Sequence, residues 1–311
     1  MMSPLMYWNK LKTAGKLGLK AAMPLAAVLI VFVNFLIMPQ ATIAAPAPLQ
    51  LGIEAMQQHE FAAAIQHLNQ ALDEDSDRHQ VYSHRCLAHL MLNRPESAIA
   101  DCSAAIEEQA NSPKLHFYRG LAQYRLGEFA AAITDFSEHL QTQSEDARAY
   151  YNRGLAHFAQ GQVSQAIADF HQALTYAAGL QPVEMSNLYN DLGVAYLSST
   201  KPAEALFALD QAIAMDESDP RAYFNRGCVC HHRGDYAAAL ADFDHVLALD
   251  PHHAETYLNR GFSKRQLGDK AGAIADFRAA IEQFQQQGNR AGLQRAKFAL
   301  HQIQQTPQAV A

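Results

Sequence analysis

A spacing of 34 residues governs this chain. Gly52, Cys86, Gly120 and Gly154 fall at the same point of successive segments. Five extra residues precede Gly193, and the period resumes at Gly227 and Gly261. Self-similarity at a fixed period of this length marks a stack of supersecondary units, each too small to bury its apolar face alone. A chain built this way must be a solenoid, and that constraint outranks any local motif.

Seven units can be written: 45–78, 79–112, 113–146, 147–180, 186–219, 220–253 and 254–287, with an insertion around Gln181 to Met185. Each reads as two amphipathic helices. In the fourth unit, Tyr150, Gly154 and His157 recur at helical spacing on the first helix, and Ala166, Phe170 and Ala173 on the second. Gly127, Gly161, Gly234 and Gly268 mark the turn between the helices, where a left-handed residue ends the first. Ser112-Pro113, Asp219-Pro220 and Asp250-Pro251 read as helix starts, a capping residue ahead of a first-turn proline. The first unit opens Ala45-Pro46-Ala47-Pro48, so its first helix is expected to be short.

Small residues at the eighth, twentieth and twenty-seventh positions let the two helices approach closely. The aromatic at the twenty-fourth (Phe136, Phe170, Phe243, Phe277) is expected to fill the wedge towards the next unit. The ends of a solenoid must differ from its middle. Asn289 to Gln304 fits a capping helix, with Leu293, Ala296, Leu300 and Ile303 on its apolar side and residues 288–311 forming cap and tail.

Residues 1–44 are a different kind of sequence. Lys10, Lys12, Lys16 and Lys20 precede an uncharged apolar run from Leu25 to Met38, and small residues follow. A basic region, an apolar core and a small-residue site describe a secretory signal, with cleavage expected after Ala44. The alternative is an uncleaved membrane anchor, since the apolar stretch over 21–38 reaches the lower edge of a bilayer span. Either way the lysines stay on the cytoplasmic side and the repeats are exported, to a periplasm or lumen.

Composition narrows the function. With 311 residues, 49% of them apolar, the chain can bury a large core. A net charge of −7 without a long run of one sign argues against nucleic acid as the partner. Four cysteines in this length do not make a disulfide framework.

Together these units resemble the tetratricopeptide (TPR) family, whose pattern runs aromatic, leucine-glycine, tyrosine, alanine, phenylalanine, alanine and proline. The resemblance covers residues 45 to 287. It departs at Pro48, at Cys86 in place of glycine, at Pro95 and Pro202 in turns, and at the insertion. It implies an all-α, right-handed superhelical solenoid of antiparallel helix pairs with a C-terminal cap. It also implies a non-catalytic scaffold or assembly factor that binds protein or peptide, and it allows envelope or photosynthetic-membrane assembly factors without selecting one. No cofactor is implied.

One regularity is internal. In five units an arginine precedes the small residue and an aspartate follows sixteen residues later: Arg85/Asp101, Arg119/Asp135, Arg153/Asp169, Arg226/Asp242 and Arg260/Asp276. The two units lacking the arginine (Leu51, Leu192) also lack the aspartate (His67, Ala208). Joint gain and loss predicts a partly buried ion pair between the two helices of a unit.

TPR solenoids bind on the concave surface of their first helices. The resemblance places Ser83, Leu87, Leu90, Met91, Phe117, Tyr118, Leu121, Tyr124, Tyr151, Asn152, Leu155 and Phe158 there, and the only charges at the groove positions of the second to fourth units are Lys114, Arg125 and Arg148. That stripe suits an extended or helical segment with apolar side chains. The alternative is that these residues simply pack neighbouring first helices together. A carboxylate clamp is not expected, because only Lys114 approaches its pattern.

Cys228-Val229-Cys230-His231-His232 raises a second possibility, a metal- or small-ligand-binding solenoid. On a helix Cys228, His231 and His232 share a face and Cys230 points away, but a further ligand is needed and none stands out. Cys86 and Cys102 lie on the facing helices of one unit, which admits a disulfide in an oxidising compartment without establishing one. No zinc-protease helix, phosphate loop or nucleophile elbow is found.

Overall fold

The structure, a computed structural model, describes residues 47–74, 76–109 and 112–305. The signal or anchor expected over 1–44 lies outside them. No helix among the described residues is long and apolar enough to cross a membrane.

Among the described residues the chain is all-α. The first four units comprise α1 (Pro48–Gln57) with α2 (Phe61–Asp73), α3 (Arg78–Met91) with α4 (Pro95–Glu108), α5 (Pro113–Leu126) with α6 (Phe129–Thr142), and α7 (Ala147–Ala159) with α8 (Val163–Thr175). The next three comprise α9 (Pro182–Ser198) with α10 (Pro202–Met215), α11 (Pro220–His232) with α12 (Tyr236–Leu249), and α13 (Ala254–Gln266) with α14 (Lys270–Gln286). The last helix, α15 (Arg290–Gln305), buries Ala296, Ala299 and Ile303 against α13 and α14, with Leu293 and Leu300 packed beside them.

Each helix packs on the next, and successive odd-numbered helices also touch, from α1 with α3 to α13 with α15. No two even-numbered helices approach to that extent. This asymmetry curves the stack and puts the first helix of every unit on its inner side.

The turn glycines behave as the sequence predicts. Gly127, Gly161, Gly234 and Gly268 have φ of 81°, 77°, 82° and 82°. The other turns force the same left-handed backbone on His59, Asn93 and Thr200, whose φ values are 61°, 55° and 58°. Helix α1, at 10 residues, is short as expected.

Two boundaries differ from the sequence reading. Asp250-Pro251 does not start a helix: the pair forms a turn in which Asp250 accepts from the His252 amide, and α13 begins at Ala254 behind the cap His253. The insertion around Gln181 to Met185 is absorbed into the fifth unit, whose first helix starts at Pro182 instead of Ser186. It follows a 3-10 turn over Ala177–Gly179 and adds an extra turn that lengthens α9 to 17 residues. The Glu184 carboxylate accepts from the Gln181 amide at 2.8 Å and closes that new N-terminus.

Close approach explains the eighth position. A Cβ on Gly154 would stand 2.7 Å from Phe170 Cε1, and Gly120, Gly227 and Gly261 meet Phe136, Phe243 and Phe277 in the same way. The aromatic therefore lies over the glycine of its own unit as well as reaching the next, where Phe136 packs with Ala156 and Phe170 with Leu188 and Leu192. In the second unit both partners of this contact are replaced. Cys86 stands for the glycine, Cys102 for the aromatic, and a disulfide joins them with Cα atoms 5.3 Å apart.

The predicted ion pairs form in all five units. Each arginine grips its aspartate with Nε and Nη2, at 2.5 to 3.0 Å. The remaining nitrogen, Nη1, reaches back to the second helix of the preceding unit, to Asn69, Ser103, Ser137, Asp210 and Asp244 in turn. The pair is thus a clasp between units, satisfying three of the guanidinium's donors.

Candidate functional site

The inner face of α3, α5 and α7 carries the predicted stripe. Met91 is 50% exposed, and Leu87 is half-buried. Leu90 is only 4% exposed and packs with Cys86, Cys102 and Leu115, so it offers no surface to a partner. It shares the twelfth position with Tyr124 and Phe158, whose longer side chains emerge where leucine stops short.

The remaining stripe residues are half-buried, one edge in the core and the other on the inner face. Phe117 contacts Phe136 and His139, with ring centroids 5.8 and 5.3 Å apart. Tyr118 and Leu121 pack on the second unit's core, and Tyr124 packs against Phe129 at 5.4 Å. Tyr151 lies 5.9 Å from Phe170, and Leu155 and Phe158 join the same cluster. Asn152 donates to the Arg148 carbonyl at 2.7 Å. Of the charges, Lys114 is exposed, while Arg125 donates to the Leu90 carbonyl at 2.7 Å and is pushed down by burial.

The stripe does not stop at α7. Tyr151 donates its phenol to Asp191 of α9 at 2.6 Å, and Asn190 donates to the other carboxylate oxygen at 3.1 Å. Burial pushes the Asp191 carboxyl up, against the pull of those two bonds and of the Arg221 charge. Burial and the Asp191 charge together hold the Tyr151 phenol well above its usual range, and they raise Tyr124 in the same sense. Asp191 was outside the predicted set because that set ended with the fourth unit. The signal was present at the sixth position, which reads Asn152, Asp191, Asn225 and Asn259.

From α7 onwards the inner face is a polar ladder between first helices. Arg148 pairs with Glu184 at 2.8 Å, Arg221 binds Asn187, Asn225 donates to Asn190 at 2.8 Å, and Arg295 pairs with Glu255. The groove therefore has an aromatic half and a polar half, joined at Tyr151 and Asp191.

The metal reading is not supported by the geometry. Asn259 donates to Cys228 Sγ at 3.4 Å, and burial pushes that thiol up to about 12. His231 is bonded to Ser263 at 2.8 Å, His232 is exposed and Cys230 is buried. Among the described residues no group of three or more His, Cys, Asp or Glu is placed to hold an ion.

Away from the groove, a pocket of about 550 Å³ opens beside α8, α9 and α10, where Leu192 and Ala208 replace the clasp. Its rim residue Phe207 is 66% exposed on a second helix.

Sequence profiles of the tetratricopeptide repeat match residues 49–113, 190–254 and 232–288, and further profiles of the same repeat match 145–218 and 124–161. The chain belongs to the TPR family. Solved TPR structures share its fold. YrrB, described as a TPR protein with an unusual peptide-binding site, is 24% identical, covers 63% of this chain with 97% of its own length, and gives a TM-score of 0.52. Pseudomonas aeruginosa pilF is 18% identical, covering 71% of this chain and 97% of its own, at TM-score 0.59. The C-terminal part of a TPR protein from Cytophaga hutchinsonii is 13% identical over 79% and 98%, at 0.61. At these identities the likeness is one of TPR fold. No curated protein matches the chain significantly in sequence.

Proposed function

We propose that this TPR chain is an exported, non-catalytic scaffold or assembly factor that holds a protein or peptide segment along the inner face of α3 to α9. The observation that carries the reading is the set of half-buried aromatics on α5 and α7, Phe117, Tyr118, Tyr124, Tyr151 and Phe158, together with the Tyr151–Asp191 bond. Rigid, half-buried rings give a segment apolar contact and orientation at little entropic cost. YrrB, one of the similar folds, is itself described by a peptide-binding site.

Export is supported by two independent features. Residues 1–44 have the order of a secretory signal. The Cys86–Cys102 disulfide, in turn, belongs in an oxidising compartment. N-terminal sequencing of the chain recovered from its cells tests the first, with Ala45 expected as the mature terminus. Affinity capture tests the groove: Met91→Glu at an exposed inner position and Asn152→Arg at a half-buried one are expected to lose the partners that the natural chain retains. Unchanged recovery in both variants removes the groove assignment.

A further inference from the structure

Carboxylates on the inner face of the polar half are matched by arginines: Glu184 with Arg148, Asp219 with Arg221, Glu255 with Arg295. Asp191 is the exception. Among the described residues no cation lies within ion-pair distance of it, although it is half-buried between the tyrosines of α5 and α7 and its own helix. Its bonds to Tyr151 and Asn190 use one acceptor site on each oxygen and leave capacity on both. The charges that reach it are Arg221 and Asp219, which are paired with each other, so the local balance is one uncompensated negative charge.

The sequence sharpens the point. Three units, including the two that follow, hold asparagine at this position (Asn152, Asn225, Asn259), and each donates a side-chain hydrogen bond in the groove. Asparagine is therefore the residue this backbone accommodates without electrostatic cost. A carboxylate in its place gives up hydration for two neutral hydrogen bonds and gains no paired cation in the free chain.

We propose that Asp191 is the acceptor for a basic side chain, a lysine or arginine, of the segment bound in the groove. The inference rests on the groove reading above. An ammonium or guanidinium there gains a charge-assisted bond to the carboxylate. It also gains attraction to the faces of Tyr124 and Tyr151, whose phenols already lie within the field of Asp191. The apolar half of the groove then takes the flanking residues, and the unmatched charge fixes the register of the segment.

The test uses the mature full-length chain and a random peptide library displayed on phage. Selected peptides are expected to share a lysine or arginine. A synthetic peptide of the selected sequence is expected to lose affinity about tenfold or more on Asp191→Asn. Replacing its basic residue by norleucine or citrulline should cause a similar loss, and combining the two changes little more. Peptides that Asn152→Arg abolishes but that bind Asp191→Asn undiminished overturn the cation assignment and leave the groove standing. If no selected peptide is sensitive to Asn152→Arg, the groove reading falls and takes this inference with it.

Discussion

Arg153 holds Asp169 with two parallel hydrogen bonds, at 2.8 and 2.7 Å, and reaches back with its third nitrogen to Ser137 at 3.1 Å. Its plane also lies over the Tyr150 ring, 5.4 Å from the centroid. One side chain thus ties the two helices of the fourth unit to each other and to the second helix of the third.

Removing only the arginine strands the buried Asp169. Arg153→Ala is expected to cost about 2–4 kcal/mol, while Arg153→Leu with Asp169→Ala costs less because no charge is left unpaired. Urea unfolding of both variants decides this, and equal losses contradict the clasp.

The disulfide occupies the site of a packing contact, so the repeat itself supplies its replacement. Cys86→Gly with Cys102→Phe is expected to fold stably under reducing conditions, with the aromatic lying over the glycine as Phe136 lies over Gly120. Reduction of the natural chain should cost about 2–3 kcal/mol, the stabilisation of a short cross-linked loop. Thermal melts with and without reductant measure both. The same contact predicts that Gly154→Leu is overpacked against Phe170 and loses about 1–3 kcal/mol.

Thr200 sits at a turn where four units place glycine, with φ of 58° and a β-branched side chain. Relieving it by Thr200→Gly is expected to stabilise the chain by about 1 kcal/mol. Asn93→Gly should gain less, since asparagine tolerates that region. A loss of stability at position 200 contradicts the strain.

His139 takes the twenty-seventh position, alanine in most units, and is buried. Its Nδ1 meets the Pro113 carbonyl at 3.0 Å and its Nε2 meets Asp146 at 2.8 Å. Burial lowers its pKa, but the Asp146 carboxylate and the Pro113 carbonyl outweigh burial and raise it above 6.5. The bond to His139 lowers Asp146 below 3.8, where burial alone would raise it. The histidine's contribution is full below its unfolded value and is lost as pH rises through the raised one. The aspartate's is full above its unfolded value and is lost as pH falls through the lowered one. The stability gap between the natural chain and His139→Ala is therefore expected to be widest between pH 3.8 and 6.5, the ordinary values of the two groups, and to narrow as pH rises through the raised histidine value. A gap that widens with pH contradicts the pairing.

Much of this was legible in the sequence because a repeat supplies its own alignment. Seven copies set the unit boundaries, and the two copies lacking both Arg and Asp exposed the clasp. The third bond of that clasp was hidden, because its acceptor varies among Asn69, Ser137 and Asp210 and varying residues leave no pattern. The disulfide was half visible: Cys86 stood out against glycine, but the nearness of the eighth and twenty-fourth positions required the Gly154–Phe170 distance. Leu90 was misplaced because exposure at the twelfth position depends on side-chain length, which periodicity ignores. Asp191 was missed for a plainer reason, lying one unit beyond the stripe and behind the insertion.

The central claim is that partners occupy the inner face of the first helices. It is tested most directly by placing a photo-crosslinking residue at Met91, Asn152 or Phe207 and irradiating intact cells. The account predicts that Met91 and Asn152 capture the same partner and that Phe207, on a second helix, does not. Capture from Phe207 with none from Met91 and Asn152 would contradict it.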